Sequence, residues 1–127
     1  MIELNSSQCW KSEEGHIWAR IFSSAEHSFS MTDAHDHIEA TFKLCHEKAR
    51  PFIMDLRDLQ TSVDPTIIFF LATEERLQTL RASLAFISDS LNGWFFASHF
   101  SNYVDKQYPC KVFSQEDDAT LWLKSLR

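Results

Sequence analysis

Residues 51–70, which read "PFIMDLRDLQTSVDPTIIFF", decide how the chain folds. The run "PFIMDL" is a short apolar segment between a proline and charged residues, as is typical of a central strand covered on both faces. Asp64 followed by Pro65 predicts a helix start, because aspartate caps free N–H groups and proline suits the first helical position. The stretch therefore predicts a buried strand, an acidic turn and a helix.

The segments before this stretch predict a hairpin and a helix. "IELNSSQCWKSEEGHIWARIF" has extended runs on either side of "KSEEG", where Gly15 can take the positive φ of a tight turn. Ser30 and Asp33 then form a capping box, in which a hydroxyl and a carboxylate satisfy free N–H groups. Ala34, Ile38 and neighbouring apolar residues recur at helical spacing after it.

The segments after residue 65 continue the alternation. The helix is predicted to run through "TIIFFLATEERLQTLR", and the next strand is "SLAFIS". Asp89 or Ser90 begins a helix over "LNGWFFASHFSNYV", and "CKVF" predicts the last strand. Ser114 and Asp117 are predicted to form a second capping box, which starts the final helix.

The predicted order is β-β-α-β-α-β-α-β-α, with about five strands and four helices. Strands that alternate with helices indicate an α/β fold with a mostly parallel sheet, here with an antiparallel N-terminal hairpin. A chain of 127 residues fits one domain, so residues 1–127 are predicted to form a single unit.

Composition excludes several classes of partner. The formal net charge is −6 and Lys and Arg form no run, so we expect no nucleic-acid binding. The longest apolar run, residues 67–72, is too short for a membrane span. The N-terminal "MIELNSSQ" lacks the features of a signal peptide, so we expect a cytoplasmic protein.

Motifs for catalysis, metals and cofactors are missing from the sequence. Cys9, Cys45 and Cys110 are widely spaced without a C-x-x-C motif, which favours reduced thiols. His35 and His37 lie two apart, so their imidazoles diverge on a helix and do not predict a metal site. The chain has two glycines and neither a nucleophile elbow nor a phosphate loop. We expect no cofactor, no metal and no enzymatic activity.

Polar residues follow two neighbouring predicted strands and form a candidate partner or ligand turn. Ligand crevices in open α/β sheets lie beyond the carboxyl ends of strands, so adjacent strands would place these residues around one cleft. The alternative interpretation is that Asp55 and Arg57 pair with each other. A further alternative is an enzyme that uses Asp55, Arg57 and Asp58. The predicted turn consists of Asp55, Arg57, Asp58, Thr61, Ser62, Ser88 and Asp89.

Two predicted helices carry more apolar side chains than one packed stripe requires. Ile67 to Leu71 are consecutive, and the helix after Asp89 is rich in aromatic residues. About half of these side chains are expected in the core, and the rest predict an interface or the wall of an apolar pocket. The candidates are Ile67, Phe69, Phe70, Trp94, Phe95, Phe96, Phe100 and Tyr103.

Three segments carry a family resemblance: "EEGHIWARI", "RPFIMDLRDLQTS" and "YPCKVFSQEDDATLWL". With the element order, they resemble STAS domains, which have the SpoIIAA-like fold. They are most similar to small stand-alone bacterial STAS/SEC14-like proteins of unknown function. The resemblance covers nearly the whole chain and implies the fold more strongly than a role.

The resemblance also implies a kind of function. Anti-sigma factor antagonists of this superfamily carry a phosphorylatable serine where this chain has Asp64, which a kinase cannot switch. The similar stand-alone proteins carry Arg and Asn in the third helix, where this chain reads "NGWFFASHF". The implied function is a regulatory binding module that forms a homodimer or docks a protein partner. The alternative is a carrier of a small apolar, lipid-like ligand.

Overall fold

A computed structural model of the protein describes residues 1–104 and 106–126. The described residues form an α/β fold in which one mixed sheet has the strand order β1-β2-β3-β4-β5-β6. The strands are β1 (Ile2–Glu3), β2 (Ser7–Lys11), β3 (Ile17–Ile21), β4 (Arg50–Asp55), β5 (Arg81–Ile87) and β6 (Cys110–Phe113). The helices are α1 (Met31–Cys45), α2 (Pro65–Thr73), α3 (Glu75–Gln78), α4 (Leu91–Val104) and α5 (Glu116–Ser125).

The predicted sheet architecture is confirmed. β1, β2 and β3 pair antiparallel, and β3, β4, β5 and β6 pair parallel. Gly15 has φ +85° in the turn between β2 and β3, as the hairpin prediction requires. Helices α1, α2 and α4 pack on one face of the sheet, and α5 packs on the other.

The central strand β4 is covered on both faces. Phe52 and Met54 lie in the core beneath α1, α2 and α4. Ile53 faces the opposite side, where Ala119 and Leu123 of α5 cover it. Because successive side chains of a strand alternate between faces, a strand buried twice must be apolar at every position. This explains why "PFIMDL" shows no alternation of apolar and polar residues.

Three of the four predicted helix starts are confirmed, including the start at Ser90, whose Oγ accepts from Gly93 N at 3.3 Å, and one is wrong. The side chain of Ser30 accepts a hydrogen bond from Asp33 N at 3.1 Å, and Asp33 Oδ2 accepts one from Ser30 N at 2.9 Å. Asp64 Oδ1 accepts from Thr66 N at 2.8 Å. The second capping box is not formed, because α5 begins one residue later and Gln115 is its N-cap. Instead, three acidic residues in the first turn of α5 stabilise its N-terminus, because their negative charge interacts favourably with the helix dipole.

The strand and helix counts are each one higher than predicted. The short β1 pairs with the outer side of β2. The helix predicted through "TIIFFLATEERLQTLR" is interrupted at Glu74, whose ψ of 116° is extended. The interruption turns the chain so that Leu77 is buried in the core and Leu80 leads directly into β5. In the described residues, no helix is long and apolar enough to cross a bilayer.

Candidate functional site

Asp55 and Arg57 form a closed pair at the carboxyl end of β4. Arg57 Nε donates to Asp55 Oδ1 at 2.9 Å, and Arg57 Nη2 donates to Asp55 Oδ2 at 2.8 Å. The backbone N–H of Arg57 donates to the same carboxylate at 3.1 Å. Such a bidentate pair is strong and geometrically fixed. The interpretation that these two residues pair with each other is therefore confirmed.

The charges around Asp55 keep it ionised. Burial raises the pKa of Asp55, but hydrogen bonds from Arg57 and the charges of Arg57 and Arg20 outweigh it, so the pKa is lowered. Arg20 Nε lies 3.7 Å from Asp55, and Arg20 Nη2 donates to Asp58 at 2.5 Å. Arg57 also lies 3.6 Å from Glu116 at the start of α5. Both arginines are therefore neutralised by carboxylates, and neither offers an uncompensated positive charge.

Neither of the two best-formed clefts of the described residues is lined from the carboxyl ends of both β4 and β5, although these strands are adjacent. The start of α4 fills the space beyond β5. A Cβ added to Gly93 would lie 2.3 Å from Ser88 Oγ, and Ser88 Oγ already donates to the Ser90 carbonyl at 3.0 Å. Asp89 is exposed. Ser90 Oγ accepts a hydrogen bond at 3.3 Å from the N–H of Gly93, in the first turn of α4.

The remaining residues of the predicted turn are divided between structural contacts and solvent. The Thr61 N–H donates to Ser23 Oγ at 3.2 Å, and Ser23 Oγ donates to the Thr61 carbonyl at 3.0 Å. These bonds tie the loop after β4 to the loop after β3. Ser62 is exposed. Of the seven predicted turn residues, Asp58 alone lines the cleft that lies next to this turn.

That cleft lies at the carboxyl ends of β3 and β4 and has a volume of about 760 Å³. We name it the polar cleft. It was not predicted from the sequence, because its walls come from four separate segments. The one local signal is the serine-rich run "FSSAEHSFS" after β3, which reads as an ordinary loop. The polar cleft is lined by Asn5, Ser6, Arg20, Phe22, Ser23, Ser24, His27, Ser28, Asp33, Asp58 and Gln60.

The second candidate surface is the outer side of α2 and α4, which we name the α2–α4 face. Phe69, Trp94 and Tyr103 are exposed by 48%, 60% and 39%. The rings of Phe69 and Tyr103 meet edge to face, with centroids 4.9 Å apart, and so join the two helices. Ile67, Phe70 and Phe95 of the same two helices are half-buried and pack against the core. Six of the eight predicted apolar candidates are therefore exposed or half-buried on α2 and α4.

The other two apolar candidates, Phe96 and Phe100, belong to the core. Both are fully buried, and their rings stack with centroids 6.1 Å apart. Phe100 also packs edge to face on Phe86 of β5. Their assignment to an interface or pocket wall is wrong, because α4 turns these positions toward the sheet.

Comparison with known proteins gives a family and a fold. A family model described as a domain of unknown function, DUF7793, matches residues 14–127. The chain belongs to this family. No curated protein matches.

One similar solved structure is an uncharacterized protein of the DUF3478 family from Shewanella loihica PV-4, which has a SpoIIAA-like fold. Its sequence is 11% identical, the TM-score is 0.60, and the match covers 97% of this chain and 99% of that chain. At this identity the likeness shows the fold alone. The SpoIIAA-like fold predicted from the three resembling segments is thus confirmed for this DUF7793 chain.

A buried cysteine–histidine pair in this DUF7793 chain was not predicted from the sequence. Cys9 Sγ lies 3.7 Å from His37 Nδ1, and both residues are fully buried. Burial raises the pKa of Cys9 to about 12, partly offset by a hydrogen bond with Ser7. Burial, together with the charge of Arg81, lowers the pKa of His37 to about 3. At neutral pH a protonated thiol therefore faces a neutral imidazole, which is the opposite of an activated nucleophile and base.

Proposed function

We propose that this DUF7793 chain is a non-enzymatic STAS-like binding module that acts by pairing two copies through the α2–α4 face. The observation that carries the proposal is the exposure of Phe69 and Tyr103, whose rings meet edge to face and join α2 and α4 at the surface. Trp and Tyr are enriched among the residues that dominate interface energetics, because they bury large areas at low entropy cost. Single exposed apolar residues need no explanation, whereas a contiguous patch does.

The charge distribution favours a second copy as the occupant. α2 and α4 have 9 and 14 residues, and neither contains Asp, Glu, Lys or Arg. The chain as a whole carries a formal charge of −6, so most surfaces of two copies repel each other. In a two-fold symmetric dimer the same patch meets itself. A patch without ionised side chains is the surface that two acidic copies can bring together without repulsion.

The absence of activated chemistry supports a role in binding. Asp55 is held by Arg57 in a bidentate pair, and the thiol of Cys9 is protonated and buried. Asp64 is used as the N-cap of α2. The two carboxylates and the thiol named here are thus engaged in structure, whereas the side chains of Phe69 and Tyr103 are exposed.

The test is the oligomeric state of matched variants, measured by sedimentation equilibrium over a range of protein concentrations. We expect a dimer for the wild-type chain and a monomer for the double variant Phe69→Ser/Trp94→Ser. The control is Leu121→Ser, which removes an apolar side chain that is 66% exposed on α5, on the other face of the sheet. The control should remain a dimer.

Two outcomes would overturn this proposal. One is a wild-type chain that stays monomeric at the highest soluble concentration. The other is a dimer that persists in the double variant, which would place the contact elsewhere on the chain. Far-UV circular dichroism of each variant establishes that the fold is retained, so that loss of the dimer is not confused with unfolding.

A further inference from the structure

The polar cleft contains a buried carboxylate with one engaged oxygen. Asp33 is 8% exposed, and its Oδ2 accepts hydrogen bonds from Ser6 Oγ at 3.0 Å and from Ser30 N at 2.9 Å. Within residues 1–104 and 106–126, Asp33 Oδ1 accepts no hydrogen bond and Asp33 forms no ion pair with Lys, Arg or His. The carboxylate is held in one orientation by its other oxygen, so its position in the cleft is set before any ligand arrives.

The opposite wall supplies a donor. The guanidinium of Arg20 is shared between Asp58, at 2.5 Å, and Asp55, at 3.7 Å. Its flat face covers the ring of Phe22, with 5.4 Å between the guanidinium carbon and the ring centroid. These contacts hold the guanidinium in one position on the wall of the cleft.

The charges of the cleft argue against an ionic ligand. Arg20 is compensated by two carboxylates, so a phosphate or carboxylate ligand would meet no spare positive charge. Asp33 lies in the first turn of α1, where the helix dipole offsets its negative charge, so a cation is not required either. The other polar side chains around the cleft are serine hydroxyls, the amides of Asn5 and Gln60, and the imidazole of His27.

We propose that the polar cleft binds a neutral, polyhydroxylated small molecule of the mono- or disaccharide class. Each sugar hydroxyl both donates and accepts, which matches the Asp33 carboxylate as acceptor, Arg20 as donor, and the side-chain amides of Asn5 and Gln60, which do both. The volume of about 760 Å³ lies within the ordinary range of small-molecule sites, roughly 300–1,000 Å³. This site is separate from the α2–α4 face and does not depend on dimer formation.

The test is titration of the ¹⁵N-labelled chain, followed by amide chemical shifts. The probes are neutral sugars (glucose, galactose, mannose, sucrose and trehalose), with inorganic phosphate and putrescine as anionic and cationic comparisons. We expect at least one sugar to give saturable shifts in residues 22–28 and around Gln60, and the two ionic probes to give none there. Shifts with phosphate or putrescine but not with sugars would overturn the proposal, as would the absence of saturable shifts with every sugar.

Variants locate the binding. Asp33→Asn keeps one oxygen for the helix cap and presents an amide donor to the cleft, so sugar affinity should fall about tenfold or more. Gln60→Ala removes an exposed amide without disturbing the core, and it tests the site even where Asp33→Asn fails to fold. The control Asp89→Asn changes an exposed carboxylate outside the cleft and should leave the affinity unchanged. Equal affinity in wild type and Gln60→Ala, with shifts that do not map to the cleft, would refute the assignment.

Discussion

The guanidinium carbon of Arg81 lies 5.1 Å from the centre of the Phe100 ring, inside the core. The ring of Phe52 lies 5.5 Å away. Arg81 Nη1 donates to the Leu71 carbonyl at 3.1 Å, in the last turn of α2, where the helix dipole is negative. Within the described residues, Nε and Nη2 form no hydrogen bond, and Arg81 is only 2% exposed. Two rings and a helix end therefore stabilise a buried cation that has no carboxylate partner in the described chain.

The first prediction concerns this cation. Arg81→Met should leave the free energy of unfolding unchanged or raise it, because burying an ion costs several kcal/mol and a methionine fills a similar space. Arg81→Ala should lower it by about 2–5 kcal/mol, since it leaves a cavity between the rings. Urea unfolding of both variants measures the difference. Equal losses in the two variants would show that the charge itself stabilises the core.

The second prediction concerns His37, which is buried in its neutral form. Its pKa is about 3 in the folded chain and 6.5 ordinarily, so the unfolded chain binds more protons between these values. This contribution to stability is therefore lost as the pH falls from 6.5 towards 3, by at most about 1.4 kcal/mol per pH unit. His37→Leu should remove this pH-dependent contribution to the free energy of unfolding. Urea unfolding at several pH values tests this, and an identical pH dependence in wild type and variant would contradict the prediction.

The third prediction concerns Asp55. Asp55→Asn should lower the free energy of unfolding at pH 7 by about 1.5–3 kcal/mol, the range for a hydrogen-bonded charged group. Because the folded pKa of Asp55 lies below its ordinary value of 3.8, its stabilisation is complete above that value and is lost as the pH falls through the folded pKa. The difference between wild type and variant should therefore shrink in acid.

The matched control for Asp55 is Glu116→Gln, which removes an exposed carboxylate from the same arginine, Arg57. We expect it to cost less than about 1 kcal/mol, because solvent screens exposed pairs. A loss as large as that of Asp55→Asn would mean that the whole network, and not the buried pair, stabilises this end of the sheet. Guanidinium chloride screens charges, so urea is the appropriate denaturant for both variants.

The fourth prediction separates a cap from a partner contact at Asp64. Asp64→Ala should lower the free energy of unfolding by about 0.5–2 kcal/mol, the usual cost of a lost N-cap. Asp64→Ser should keep most of the wild-type stability, because serine is also a good N-cap. Asp89→Ala is the control, since Ser90 already accepts from the first turn of α4, and its effect should stay within about 0.5 kcal/mol. Unchanged stability in Asp64→Ala together with a changed oligomeric state would instead assign Asp64 to a binding surface.

The features that were predicted correctly from the sequence depend on residues that are close together in the chain. The hairpin around Gly15, the capping box at Ser30 and the cap at Asp64 were all predicted correctly, because each depends on residues within a few positions of one another. The second capping box was predicted wrongly. Gln115, and not Ser114, is the residue before α5, although serine is the better capping residue.

The candidate site was predicted only in part, for a physical reason. The pairing of Asp55 with Arg57 was considered from the sequence, because the two residues are only two positions apart. The contact of Arg20 with Asp58 spans 38 residues and exists only because β3 and β4 are neighbours in the sheet. The polar cleft arises in the same way, from segments that the fold brings together, and no single segment carries its signature.

The sequence alone determined the alternation of strands and helices, the hairpin and three of the four helix starts, because periodicity, turn chemistry and caps act between near neighbours. Tertiary structure decided which aromatic rings face the core and which face solvent. Phe96 and Phe100 lie against the sheet while Trp94 and Tyr103 point outward, although all four belong to the same helix. That division depends on where the sheet lies relative to α4, and burial is a property of the assembled layers rather than of any one segment.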